Sequence, residues 1–146
     1  MANAITDPGD RGHFMGGIVR LAAHDFMDYD LNGPSNGEEL GGADGCIDFS
    51  NAANAGLLDL WCDDPDMCPF KALYEVAYSF MSVADFWVAS ASSVIKNASP
   101  NERLDMNFRW GRVDSDACDH SSARLPGPSG CDQVESTFIN RMALSL

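Results

Sequence analysis

"GGIVRLAAHDF", residues 16–26, is an apolar run that carries a guanidinium, an imidazole and a carboxylate close together: Arg20, His24 and Asp25. Its apolar residues recur at Ile18, Leu21, Ala22 and Phe26, the spacing of one helical face, with no breaker after Gly17. A helix is therefore predicted from Phe14 to about Met27. At 3.6 residues per turn, positions 20 and 24 lie about 40° apart around the axis and one turn apart along it. Both side chains project to one side and can act on one small ligand. Asp25 points about 100° away from His24 and serves a different neighbour.

Outward from this helix the chain alternates apolar periodicity with long polar connections. Residues 1–13 are polar and rich in Asp, Gly and Pro, which predicts a loosely held lead-in. "DYDLNGPSNGEELGGADG", residues 28–45, is too long and too dense in Gly, Asn, Asp and Pro for a tight turn, and a loop of this kind usually has a task. In residues 70–96, Leu73, Val76, Ala77, Phe80, Met81, Ala84, Trp87 and Val88 follow one another at intervals of three and four, which predicts one or two buried helices. Residues 99–131 read mostly as loop, with a short extended piece at Met106–Val113. A closing helix starts at Asp132 as its cap and carries Val134, Phe138, Ile139 and Met142 on one side. Strand signals are scarce, so the predicted class is mainly α with few or no strands.

With 146 residues and 45% hydrophobic composition, one domain can bury a core of its own. A formal charge of -13 repels a phosphate backbone, which argues against nucleic acid as a partner. No stretch approaches the ~20 consecutive apolar residues of a membrane span. The opening "MANAITDPGD" has neither the basic start nor the apolar core of a signal peptide, so any address has been removed or does not exist. The cysteines of "WCDDPDMC" (Cys62, Cys68) and of "CDHSSARLPGPSGC" (Cys118, Cys131) each bracket a short polar loop. Neither spacing suits zinc, and disulfides are favoured over free thiols, which leaves Cys46 over and favours an organelle lumen or the exterior over the cytosol. Asn97, in "NAS", matches a glycosylation acceptor.

"RLAAHD" (20–25) resembles the distal helix of the plant, fungal and bacterial haem peroxidase superfamily. Five further segments resemble that family in its own order: "GGADGCIDF" (41–49) its calcium loop, "NAGL" (54–57) the segment with its distal asparagine, "SVADFWVASA" (82–91) its buried helix with an acid, "FRWGRVDS" (108–115) its arginine-bearing segment, and "ARLPGPSGCDQVESTFINRMAL" (123–144) its Leu-Pro loop and following helix. The wording looks closest to the cytochrome c and ascorbate peroxidase branch, with likeness also to secreted fungal and plant branches and to peroxidase-like proteins of algae and other protists. The resemblance implies a distal, N-terminal half of the haem peroxidase fold over residues 14–146, with haem b and hydrogen peroxide as partners and an unidentified reducing donor.

It also implies a role for each matching residue. Peroxide must lose a proton to bind iron and take one back on its outer oxygen, which needs a base that becomes an acid, His24. Charge developing as the O–O bond breaks needs a cation that cannot be deprotonated, Arg20. The side-chain carbonyl of Asn54 would fix the tautomer of His24. Asp25, Gly42 and Asp44 would offer oxygen to calcium, although Cys46 stands where the motif has a serine and sulfur is a poor calcium ligand. Asp85 and Arg112 would form a structural ion pair.

Two departures weigh against a complete site. Ala23 replaces the aromatic residue that the family sets above the haem plane. The family's proximal histidine belongs to a helix beyond the last matching segment, and the sequence reaches Leu146 before that point. His13 precedes the predicted helix, and His120 sits in a loop. Two expectations follow: a fragment of a haem peroxidase, or a haem-free, peroxidase-like subunit whose exposed face is covered by a protein partner.

Overall fold

Asp7 sets where the first helix begins. In the computed structural model, which describes residues 5–100, 104, 106–118, 124–127 and 131–144, its carboxylate accepts the Asp10 amide at 2.9 Å. Pro8 follows at the first helical position, where a missing N–H costs nothing. Helix α1 therefore spans Pro8–Met27 and takes in much of the segment expected to be a loose lead-in. His13 lies within it and is exposed. Those first turns show no apolar period because solvent surrounds most of them.

Helix α2, Pro69–Leu73, widens into a π turn at Tyr74–Tyr78. Helix α3, Val83–Ala98, is capped twice: Ser82 Oγ accepts the Asp85 amide at 3.1 Å, and the Asp114 carboxylate accepts those of Val83 and Ala84 at 2.8 and 2.9 Å. Residues 70–96 thus form two helices. Their shared apolar pattern does not mean shared burial, since the π turn carries Val76 and nearby Phe80 into solvent at 88% and 78% exposure. Helix α4, Asp132–Val134, continues as a π helix over Glu135–Arg141. Its N-cap is Cys131, with no side-chain hydrogen bond, and Asp132 lies one residue inside. The 106–113 segment pairs with no strand, and no strand occurs among the described residues. The fold is mainly α.

α1 and α3 pack together and form the centre of the core. Ile18, Leu21 and Ala22 of α1 meet Phe86, Trp87 and Ala91 of α3, and Leu57, Leu60 and Phe70 close the sides. A Cβ on Gly17 would come within 2.7 Å of Leu60 Cδ1, so a bare backbone lets the 57–60 segment seat on α1. Trp61 stands edge-on to Trp87 at 5.0 Å, and Phe70 stacks on Phe86 at 4.8 Å. Aromatic pairs in these geometries add about 0.5–1.5 kcal/mol beyond burial.

Cys62 and Cys68 are joined, with Cα atoms 5.5 Å apart. The expected Cys118–Cys131 bridge is replaced by Cys46–Cys118, 5.2 Å between Cα atoms, and Cys131 is free and exposed. The cause lies in the backbone: the Ser115 amide donates to the Asp44 carbonyl at 2.9 Å, which lays the 114–118 segment along the 44–46 loop. Sequence proximity misleads because the tertiary neighbour of Cys118 lies 72 residues away. His120 falls outside the described residues. Asn97 is in the last turn of α3, its amide donating to the Ser93 carbonyl at 2.7 Å.

Arg124 closes the long 28–45 loop. It is 3% exposed, and its guanidinium donates to the carbonyls of Asp28, Glu39 and Leu40 at 3.0, 2.8 and 3.3 Å and to Glu38 Oε2 at 2.8 Å. No pattern in "SSARLPGP" announces this role. Arg124→Ala strands buried acceptors, each at a cost of about 1–3 kcal/mol less whatever water recovers. A loss of about 2 kcal/mol is expected in urea unfolding, and an unchanged midpoint would contradict the clamp.

Candidate functional site

The turn that follows the 46–49 segment brings a third side chain to the pair on α1. Asn51 Oδ1 accepts the Ala53 amide at 3.0 Å and starts a 3₁₀ turn, Ala52–Asn54. That turn buries Asn54, whose Nδ2 donates to the Asp48 carbonyl at 2.8 Å. With its nitrogen committed there, Asn54 presents Oδ1 to His24 Nδ1 at 2.8 Å. Arg20 Nε donates to His24 Nε2 at 3.3 Å. The two contacts select one tautomer: the proton rests on Nδ1 and the lone pair on Nε2.

Burial holds the His24 pKa below its ordinary 6.5, the bond to Asn54 works against that, and the charge of Arg20 adds to it. At neutral pH the ring is uncharged and can accept a proton at Nε2. Arg20 also donates from Nη1 to the Ala55 carbonyl at 2.8 Å and from Nη2 to the Ala53 carbonyl at 2.9 Å. These bonds hold its charge beside the imidazole. Its remaining Nη hydrogens are not engaged by these contacts.

Arg20 and His24 open onto a cavity of about 960 Å³, lined also by Ala53, Leu125, Pro126 and residues of the last helix. Ligand pockets commonly have volumes of about 300–1,000 Å³. Arg20 also borders a second cavity, of about 580 Å³, which His13, Gly16, Gly17 and Gly56 help to line. Ala23, half-buried on the same helix, lines neither. Sequence reasoning missed Gln133, Thr137 and Arg141, which face the first cavity from the closing helix. Their spacing of four, which sets them on one side of the closing helix, was the available signal. Among the described residues, none on the wall of the first cavity is a carboxylate.

Asp25 leaves α1 in another direction and is fully buried. It accepts the Gly45 and Cys46 amides, both at 3.2 Å, one on each carboxylate oxygen. Asp28 Oδ1 accepts the Gly42 amide at 2.6 Å, and Asp44 Oδ1 accepts that of Cys46 at 3.1 Å. Burial pushes the Asp25 carboxyl up to about 8, opposed by the Gly45 amide and assisted by the charges of Asp44 and Asp28. The loop is closed by its own amides. Among the described residues, no three His, Cys, Asp or Glu side chains are grouped to hold a metal ion.

Asp85 Oδ1 meets Arg112 Nη1 at 2.8 Å, and its other oxygen accepts the Gly111 amide at 2.8 Å. This joins α3 to the 109–112 segment, away from the cavity. No helix among the described residues is long and apolar enough to cross a membrane. No protein-family model matches the chain, and no curated protein matches it.

Proposed function

We propose that the Arg20–His24 cavity is the peroxide-side face of a haem site and that this chain takes part in reducing hydrogen peroxide while a donor is oxidised. The observation that carries this reading is an uncharged imidazole, held by Asn54 with Nε2 unprotonated and facing Arg20, on a cavity whose described residues include no carboxylate.

The residues fit one face of a flat, mostly apolar group: Leu125, Pro126, Gly127 and Ala53 supply apolar wall, and Arg20 with Arg141 supplies charge that suits acidic substituents. Haem, when bound, supplies the iron chemistry that breaks the O–O bond. His24 Nε2 would take the first peroxide proton and return it to the departing oxygen. Arg20 would donate to that oxygen as it gains charge. To do so, a guanidinium now shared among His24, Ala53 and Ala55 must turn at least one N–H toward the cavity. Apart from His24, the described residues of the cavity wall offer iron no imidazole, thiolate, thioether or phenolate. Titrating haem into the purified chain tests the reading. A Soret band that shifts in His24→Leu is expected, and an unperturbed free-haem spectrum counts against it.

A haem-free interaction subunit is the second reading, favoured by the apolar side chains left in solvent: Trp110 at 64% and Val113 at 80% exposure, besides Val76 and Phe80. Haem binding separates the two. The two disulfides fit an oxidising compartment, a lumen or the exterior.

We read the 42–46 loop as closed without calcium, because Asp25 accepts an amide on each carboxylate oxygen and the described residues group no three metal-ligating side chains. The unfolding midpoint is expected to be equal in millimolar calcium and in chelator. A rise in calcium that chelator abolishes would instead put an ion on Asp25 and Asp44.

A further inference from the structure

We infer that the Cys46–Cys118 disulfide is a positioning element for His24, acting through Asp48 and Asn54. The bond pins buried Cys46, which enters the 46–48 segment beside buried Ile47, to the 114–118 segment. Two residues on, the Asp48 carbonyl receives the Asn54 Nδ2 donation at 2.8 Å, and Asn54 Oδ1 in turn holds His24 Nδ1 at 2.8 Å. Cys118 and His24 also share the wall of one small cavity with Ile47, Asp48 and Asn54, so the sulfur bridge backs the same ring that this relay orients.

From Asp48 onward the relay consists of hydrogen bonds. If the 46–48 segment drifts, Asn54 loses the acceptor that fixes which end of its amide faces His24. A flipped amide would present a donor to Nδ1, which suits only an imidazole protonated on Nε2. The working nitrogen would then be blocked by its own proton. The second disulfide has no such connection: Cys62 and Cys68 close a short loop and line neither of the two cavities that His24 borders.

This inference rests on His24 as the base of the proposed reaction, but its test needs neither haem nor peroxide. Imidazole nitrogen chemical shifts report directly which ring nitrogen is bare. In the wild-type chain, and in Cys62→Ala/Cys68→Ala, Nδ1 is expected to read as protonated and Nε2 as bare. In Cys46→Ala/Cys118→Ala, and in Asn54→Ala as the reference for a lost acceptor, an Nε2–H population that wild type lacks is expected to appear, limited by the Arg20 Nε donor that still faces that nitrogen. A folded Cys46→Ala/Cys118→Ala chain that keeps the wild-type tautomer overturns the inference. So does a pair that fails to fold, since the bond would then serve the whole chain rather than this ring. A haem titration that fails leaves these readings untouched, and a null result here leaves haem binding untouched.

Discussion

His24→Leu is expected to slow the reaction of the haem-loaded protein with hydrogen peroxide by about 10²–10⁴-fold, the range that general acid–base help supplies. Haem uptake should survive, because the leucine keeps an apolar wall while losing the imidazole base from it. Asn54→Ala should give a smaller loss. It leaves the imidazole in place but removes the bond from Nδ1 that keeps the lone pair on Nε2. Stopped-flow spectra at limiting peroxide measure the step directly. Near-normal rates in His24→Leu would remove the imidazole from the chemistry, whatever the geometry.

The same side chain fixes the sign of a pH effect. Burial holds its folded pKa below the ordinary 6.5, so the ring stays uncharged into mildly acidic solution. The peroxide rate should be full at neutral pH and fall only as pH drops through that depressed value, placing the acid limb below 6.5. Stability follows the same direction. Below 6.5 the unfolded chain takes up a proton that the folded chain still refuses, so His24 lowers stability on acidification until its folded pKa is passed. The raised Asp25 and Asp28 carboxyls also titrate near this range, so the readout is the difference between the two proteins. The same pH dependence in wild type and His24→Leu would mean that the ring titrates normally.

Much of this arrangement is written in local spacing. Arg20 and His24 share a face because they are four apart on a helix, and periodicity found that helix from its buried half. Its first turns escaped because Asp7 and Pro8, a cap and a helix-starting residue, determine them rather than any apolar stripe. What spacing cannot show is which distant segments meet. The Cys46–Cys118 bond and the Arg124 clamp both arise where the chain returns to the 28–46 loop, across separations of 72 residues and more. Val76 and Phe80 mark the opposite failure: an apolar helical pattern continues past the point where a π turn rotates it away from the core. Asn54 was legible only through the "NAGL" resemblance, since nothing local to it indicates that its carbonyl faces an imidazole.

Asp85→Ala is expected to destabilise the chain by about 3–5 kcal/mol, the usual cost of breaking a buried pair from one side. The carboxylate is 4% exposed, and it accepts the Arg112 guanidinium and the Gly111 amide at 2.8 Å and the Arg112 amide at 3.4 Å. Burial alone would push this carboxyl up, yet these donors outweigh it and hold it below the usual carboxylate value. Its contribution is therefore present at neutral pH and should be lost as pH falls below about 4. Removing the other partner should cost less. Arg112 keeps 29% of its side chain in solvent, and Arg112→Ala leaves Asp85 with both backbone donors. The expected order is Asp85→Ala well below Arg112→Ala below wild type in urea midpoint, with equal m values. Equal losses in the two variants would mean that the guanidinium, not the pair of amides from the 111–112 turn, satisfies the buried charge. α3 would then be anchored by a salt bridge rather than by a carboxylate seated in backbone.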